Sequence, residues 1–316
     1  MKVRSDLKGI KTMRHNICLK YIFPAVIALL ISLPLTAGAD ENLSLYGLKG
    51  YGHTYSPLPA DGLHLQVGGM YSRFGSGKLN CREGNVLAVP ISLTVGDGKW
   101  WSLAAATHWE RWENTHEYWD DKYLNGKKVD TEKDGTGDIF LGGKLYLLSQ
   151  ERGMPLDLSI MPYMLISGGN RDKSIGDLYR YSATENDDPA YGGNLLLGRQ
   201  FGPLYIAGNV GISHAKNDDP DAEENTLFLG LTLEYQIAES VTSYAEIVNV
   251  EHKNISVYDE SSPCYDEDSD EDIRELGLGI AWVGGQWGVK LHLGAGLTET
   301  SPDVRAALLI NRTFSF

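Results

Sequence analysis

A repeated alternation of apolar and polar residues is the feature that most restricts how this chain can fold. From Gly62 onward it recurs in segments whose length suits a tilted strand that crosses a bilayer. The breaks between these segments are by turns short and long. Tight turns on one side and long loops on the other are typical of a bacterial barrel. A soluble β-sandwich also has short strands and turns, but it does not sort its loops by length in this way.

The pattern therefore predicts an all-β fold, a transmembrane antiparallel up-and-down β-barrel of about twelve strands over residues 62–316. An even number of strands places both ends of the barrel on the periplasmic side. The predicted outer loops are 75–84, 113–136, 168–189, 216–224, 253–271 and 298–303. The predicted strands are 62–74, 85–96, 100–112, 137–149, 155–167, 190–201, 203–215, 225–236, 240–252, 272–283, 286–297 and 304–316.

The last predicted strand, 304–316, also has two distinct faces, although the separation is clearest in 286–297 and 225–236. One side is apolar, and the other carries Arg305, Asn311 and Thr313. Arg312 interrupts the apolar side, so we expect either a β-bulge there or a side chain that extends to the lipid headgroups. The aromatic residues at the end of the chain are interpreted as a terminal assembly signal, and they are Phe314 and Phe316.

The run G-A-G-L-T-E-T-S-P-D at 294–303 leads into this last strand. Together they resemble the C-terminal end of the MetA-pathway phenol-degradation family, a group of outer-membrane transporters found in gene neighbourhoods for aromatic catabolism. The match covers only this end of the chain, with a looser similarity in the layout of the strands. The resemblance implies an outer-membrane channel or transporter for small, aromatic or hydrophobic solutes. It implies no catalytic or binding residues, because the family offers none to transfer.

The first 39 residues have the three parts of a secretory signal peptide. A basic region precedes an apolar core at 21–35, and A-G-A at 37–39 fits the cleavage pattern. An uncleaved anchor is the alternative, but the apolar core is short for a membrane-spanning helix. We therefore predict export to the bacterial outer membrane, with cleavage before Asp40. A periplasmic lead-in is then expected at 40–61.

The net charge limits the partners of the chain, which has 28 Lys and Arg residues against 42 Asp and Glu residues. Removing residues 1–39 takes away six basic residues and one acid, which leaves 22 basic and 41 acidic residues, a formal charge of −19. This excess of acid argues against nucleic acid, whose phosphates are neutralised by Lys and Arg. No cofactor is expected, because the Gly-rich runs lie inside predicted strands. The expected partners are outer-membrane lipid, lipopolysaccharide, the barrel-assembly machinery and a small-molecule solute.

Two features of the predicted outer loops are candidate sites. The loop at 258–272 is rich in carboxylates, which suit Ca²⁺, although its spacing does not match an EF-hand. It could equally be a solvated loop, or link divalent cations to lipopolysaccharide phosphates. A disulfide between Cys81 and Cys264 would join two outer loops in a compartment that permits it, and two free thiols are the alternative. The weak Ca²⁺ candidates are Asp266, Asp268, Asp270 and Asp272.

The face opposite the apolar one carries charged, histidine and aromatic side chains between glycines. Such a set suits a wet lumen and would make a poor dry core. Its members could line a permeation path, or they could form interior pairs that fill and stiffen the barrel. Lys144 is expected diagonal to Asp157, and Trp100 is also assigned inward. The predicted lumen-lining residues are His64, His108, Glu110, Lys144, Tyr146, Asp157, Tyr163, Tyr205, Glu234, Tyr244, Glu246, Lys290 and His292.

Three functions are compatible with this sequence. The first is an outer-membrane channel or transporter, and the others are a lipid-modifying enzyme and a non-transporting surface barrel with ion-binding acidic loops. The enzyme hypothesis depends on Ser213 and His214 at the outer end of a predicted strand. Adjacent strand residues point to opposite faces, so the hydroxyl and the imidazole cannot easily reach each other. We therefore predict a channel and not an enzyme.

Overall fold

The computed structural model describes residues 42–75, 82–118, 127–168, 178, 189–215, 225–252, 272–298 and 301–314. Several predicted features lie outside these residues: the signal peptide, both cysteines of the proposed disulfide, the terminal Phe316, and three of the Ca²⁺ candidates, Asp266, Asp268 and Asp270. Within the described part, no helix is long and apolar enough to cross a membrane.

The described residues form one antiparallel sheet that closes on itself. β1 pairs with both β2 and β13, and each other strand pairs with its neighbours around the ring. The strands are β1 (Asp61–Phe74), β2 (Arg82–Asp97), β3 (Trp101–Tyr118), β4 (Lys127–Thr136), β5 (Ile139–Leu148), β6 (Asp157–Ile166), β7 (Ala190–Phe201), β8 (Leu204–His214), β9 (Asn225–Ala238), β10 (Val241–His252), β11 (Ile273–Gly284), β12 (Trp287–Gly296) and β13 (Val304–Phe314).

β4 and β5 follow each other along β3 and together occupy one strand position in the wall. β4 pairs with the outer part of β3, β5 pairs with its beginning, and only two residues separate them. The barrel therefore has the twelve-strand closed wall that the sequence predicts. The short turns also lie where they were predicted, and Gly202 and Gly285 adopt φ values of 59° and 62° in two-residue turns that favour glycine.

The hairpin of β3 and β4 is longer than expected. We predicted a loop at 113–136, whereas β3 continues to Tyr118 and β4 begins at Lys127. Both stretches are rich in polar residues and lack the apolar face that marks a lipid-facing strand. Backbone pairing needs no such face, so the strands extend further than the apolar pattern does.

The outer surface of the barrel is apolar over the strands, as the period of two predicts. On β12, Leu291 and Leu293 are exposed on one face, while Lys290 and His292 are buried on the other. Arg312 is exposed near the short-turn end, with its guanidinium 5.3 Å from the ring centre of Trp287. The pairing of β1 with β13 has no register shift, so the extended side chain, not a bulge, accommodates this charge.

The segment before β1 lies inside the barrel, and we call residues 42–60 the plug. All of its residues are buried except Lys49 and Leu58, which are half-buried. We expected a lead-in on the periplasmic side, but its polar backbone groups bond to inward-facing side chains of the wall. It contains two isolated β-bridges, Leu43 with Lys49 and Gly50 with Tyr55, and a few turn hydrogen bonds such as that from the N–H of Gly47 to the carbonyl of Ser44. An irregular segment of this kind has no local pattern that would reveal its position.

Candidate functional site

Two buried lysines of the wall donate hydrogen bonds to backbone carbonyls of the plug. Lys144 is on β5 and Lys290 is on β12. Lys290 Nζ donates to the carbonyl oxygens of Gly50 (3.0 Å) and Tyr51 (2.8 Å). Lys144 Nζ donates to the carbonyl oxygens of Lys49 (2.9 Å), Ser56 (2.5 Å) and Leu58 (3.1 Å). Hydrogen bonds from a charged donor are roughly twice as strong as neutral ones, so these ammonium groups hold the plug in place.

Other wall residues satisfy further backbone groups of the plug. Asn209 Oδ1 accepts from the N–H of Tyr55 at 2.6 Å, and its Nδ2 donates to the carbonyl of the same residue at 2.8 Å. Three more wall side chains donate to plug carbonyls: Gln66 to Ser44, Thr94 to Gly47, and Ser159 to Pro57. With Glu246, Lys144 and Lys290, these contacts come from seven wall strands around the plug.

The carboxylate of Glu246, on β10, faces the middle of the plug. It accepts hydrogen bonds from the N–H of His53 (2.8 Å), the N–H of Thr54 (3.1 Å) and the hydroxyl of Thr54 (2.7 Å). His53 also lies beside Glu275, with 3.4 Å between Nε2 and Oε2. Burial first, and then the charge of Arg305, hold the pKa of His53 well below its usual range, so its imidazole is neutral at pH 7.

A buried ion pair lies next to this cluster. Arg305 of β13 and Glu275 of β11 form two hydrogen bonds, of 3.0 Å from Nε and 2.9 Å from Nη2. Both side chains are almost completely buried. Because a buried charge is tolerated only when it is paired, each residue depends on the other.

Aromatic rings connect the plug to the wall at two places. Tyr46 of the plug stacks on Phe140 of β5, with ring centres 4.5 Å apart, and Phe140 stacks in turn on Tyr163 at 5.7 Å. Elsewhere Tyr51 of the plug packs at 5.3 Å from Tyr244. Aromatic pairs of this kind contribute about 0.5–1.5 kcal/mol each beyond the area they bury.

The lumen changes in character along its length. Near the short turns it is polar and is occupied by the plug, whose apolar side chains also pack against wall residues farther out, such as Phe140. Towards the long loops, many inward-facing positions are apolar or aromatic, although the Arg305–Glu275 pair and a second pair, His108 with Glu110, also lie there. The buried apolar residues of this outer half include Met70, Phe74, Val86, Trp112, Phe140, Met161, Leu165, Val248 and Val250.

All thirteen predicted lumen-lining residues lie on the inward face. Eleven of them are buried, and Tyr163 and Glu234 are partly buried. Asp157 does not pair with Lys144, because it accepts hydrogen bonds from the hydroxyls of Tyr146 and Tyr205. A register shift between Tyr146 and Leu148 alters the pairing of β5 with β6. Lys144 donates its hydrogen bonds to carbonyls of the plug instead.

Three other predicted positions can be compared with the structure. Trp100 was assigned inward, but it lies in the turn between β2 and β3 with 55% of its surface exposed, under the guanidinium of Arg152. Ser213 is buried and His214 is exposed, so this pair points to opposite faces as the sequence predicts. Asp272 accepts a hydrogen bond from Arg274 at 2.8 Å.

Sequence reasoning missed the plug and most of the wall residues that hold it. Gln66, Asn209 and Glu275 all occupy inward positions of the predicted strands, so the period of two could have identified them as lumen residues. Nothing in the local sequence indicates what they contact, since the contact of Asn209 with the plug joins residues 154 positions apart.

No protein-family model matches this chain, and no curated protein matches it significantly. Among solved structures, the chain is similar to the COG4313 outer membrane channel from Pseudomonas putida F1. The TM-score is 0.58 at 14% identity, over 84% of this chain and 100% of that chain. The NanC porin (TM-score 0.48, 9% identity, 80% and 100% covered) and the P. putida toluene transporter TodX (0.41, 11%, 81% and 91%) are too distant to carry an argument. The first similarity supports the fold alone, that of an outer-membrane β-barrel.

Proposed function

We propose that this protein is an outer-membrane channel for small, aromatic or hydrophobic solutes, and that the plug closes it in the state described above. The observation that carries the proposal is the two-part lumen. Apolar and aromatic side chains are frequent on the inside towards the long loops, and polar ones near the short turns. Residues 42–60 fill the polar part and also pack against several of the apolar side chains, including Phe140. If the plug left the lumen, these apolar and aromatic side chains would line an open path.

The lining of the outer half suits a flat apolar solute. Phe140 and Tyr163 are stacked, and Phe140 and Met161 share an apolar cluster with Tyr46 of the plug, so a displaced plug would uncover them. A ring contact is worth about 1 kcal/mol, which is enough to favour an aromatic solute and weak enough to release it. The charge pairs nearby have both signs, so little selection by solute charge is expected. The resemblance of the C-terminal residues to the phenol-degradation family agrees with such a solute.

Opening would require displacement of the plug rather than a change in the wall. The plug is attached through side chains of the wall and lacks a strand ladder of its own. Among the described residues, one backbone hydrogen bond joins the plug to the wall, from the N–H of Gly98 to the carbonyl of Ala60 at its end, so the rest of the plug can leave without breaking the backbone pairing of the barrel. This arrangement allows the twelve-strand wall to remain closed while the lumen opens.

The proposal is tested by flux into liposomes that contain the purified protein. We would compare the wild type with a variant lacking residues 42–58, using small neutral aromatics and sugars of similar size as solutes. The shortened protein is expected to pass both, with a preference for the aromatics. Tyr163→Ala should reduce that preference, while Tyr235→Ala, at a position exposed on the outer face, should not. A shortened barrel that folds but passes neither solute, or one that passes large sugars freely, would overturn the proposal.

The filled lumen also favours a second candidate, a non-transporting surface barrel. In this case the plug is a permanent part of the core, and removing it should lower the folded fraction without producing flux. The same experiment therefore separates the two functions. The lipid-modifying enzyme is disfavoured, because Ser213 and His214 lie on opposite faces of β8.

A further inference from the structure

Three side chains that can bind a metal ion meet where the plug contacts the wall. They are His53 of the plug, Glu246 of β10 and His292 of β12. Each can offer one ligand atom, and the three atoms lie within 4.8 Å of one another. All three side chains are buried. These residues are widely separated in the sequence, so only the docked plug brings them together.

The orientation of His292 leaves one ring nitrogen available to a ligand. Its Nδ1 lies 3.2 Å from the hydroxyl of Tyr244. Its Nε2 lies 3.9 Å from Oε1 of Glu246 and has no hydrogen-bond partner among the described residues. Buried polar atoms of this kind are nearly always hydrogen-bonded, so an unpaired one requires an explanation. An imidazole that is held through one nitrogen and presents the other is the usual arrangement of a metal-binding histidine.

The backbone around the cluster leaves room for it. A Cβ placed on Gly52 would lie 2.3 Å from Cε1 of His292 and 2.4 Å from Oε1 of Glu246. A Cβ on Gly277 would lie 2.5 Å from the same ring carbon. All three distances are shorter than real Cβ contacts, so glycine at these two positions allows the imidazole and the carboxylate to approach each other.

We propose that His53, Glu246 and His292 bind one divalent transition-metal ion of the Zn²⁺ type and so fasten the plug to the barrel wall. Two neutral imidazoles and one carboxylate form a ligand set known for Zn²⁺, with distances of about 2.0–2.2 Å from the metal. A tetrahedral site places its ligand atoms roughly 3.3 Å apart, so Nε2 of His292 and Oε1 of Glu246 need to move together by less than about 1 Å. Ca²⁺ and Mg²⁺ fit less well, because they prefer oxygen ligands.

The N–H groups of His53 and Thr54 orient the carboxylate of Glu246, and the hydroxyl of Tyr244 orients the ring of His292. Such contacts fix the ligands before the metal arrives. Since one ligand belongs to the plug and two belong to the wall, a bound ion would oppose release of the plug. If the protein is the proposed channel, the concentration of the metal ion would therefore control how often the plug is released. Metal binding itself does not depend on transport.

The test uses the purified full-length protein in detergent after removal of metal with a chelator. We would measure uptake of Zn²⁺ by elemental analysis and of Co²⁺ by its visible absorption, whose intensity reports a tetrahedral site. The expected result is one equivalent per chain. His53→Gln, Glu246→Gln and His292→Gln should each weaken binding at least 100-fold, and Tyr244→Phe about tenfold as a positioning residue. His108→Gln is the matched control, since His108 is equally buried in the wall and lies beside Glu110.

Two results would overturn the proposal. One is a wild-type protein that takes up neither Zn²⁺ nor Co²⁺. The other is equal binding by the wild type and every ligand variant that folds, which would place the metal elsewhere, such as among the acidic residues at 259–272. Folding is checked for each variant by heat-modifiable electrophoretic mobility. A variant that fails this check is set aside, and the wild-type measurement still decides. Because no flux is measured, failure here leaves the channel proposal unaffected.

Discussion

Replacing Lys144 by methionine should release the plug without opening the wall. Methionine keeps most of the length and apolar contact of the lysine, but it removes the ammonium that donates to three plug carbonyls. A hydrogen bond from a charged donor contributes about 1.5–3 kcal/mol, so three of them amount to about 4.5–9 kcal/mol. The variant has no ammonium group to bury, and the desolvation cost that it avoids offsets several kcal/mol of this loss.

The net effect should be a loss of about 2–4 kcal/mol in the free energy that holds the plug in place. Because about 1.4 kcal/mol corresponds to a factor of ten, the population with a displaced plug should rise by about 30- to 700-fold. We expect faster hydrogen exchange and proteolysis over residues 42–60, and faster solute flux into liposomes. The heat-modifiable mobility of the barrel should remain that of the wild type.

His64→Gln is a suitable control for this experiment. His64 is as buried as Lys144, but its ring bonds to the carbonyl of Asp61 and the hydroxyl of Thr313, both part of the wall. It should leave the exchange of the plug unchanged. If Lys144→Met protein assembles normally and its plug is as protected as in the wild type, then the ammonium does not hold the plug and the reasoning is refuted.

Three further predictions concern assembly and stability. Deleting Phe316, or replacing it with Asp, should lower the folded, heat-modifiable fraction in outer membranes, and wild-type levels would contradict the assignment of the closing strand. If Cys81 and Cys264 are bridged, non-reducing electrophoresis of protease-nicked protein should keep the two loop fragments together, and separation without reductant would exclude the bridge. Glu275→Gln should destabilise the barrel by about 3–5 kcal/mol in denaturant unfolding, because Arg305 loses its buried partner. An unchanged unfolding midpoint would show that the pair is dispensable.

The alternation along each strand was sufficient to predict the barrel. On β13, Val304 is exposed and Arg305 is buried, as their positions in the sequence indicate. The physical reason is local, since successive side chains of a strand point to opposite faces and lipid accepts only apolar ones. Where a strand no longer faces lipid, the sequence predicted its bounds less accurately. The outer part of the β3–β4 hairpin is polar, so its strand structure left no apolar pattern to detect.

The inward direction of Lys144, Glu246, Lys290 and His292 also followed from the sequence, but their partners did not. Lys290 and the carbonyl of Gly50 are separated by 240 positions in the chain, and no periodicity connects them. Residues 42–60 form no regular element, and their place is determined by the side chains that converge on them from most strands of the wall. The sequence therefore determined the wall, because each strand residue is apolar where it faces lipid and can be polar where it faces the lumen. Only the tertiary structure decided what fills the lumen, because a backbone segment can satisfy its polar groups there only after the barrel has closed around it.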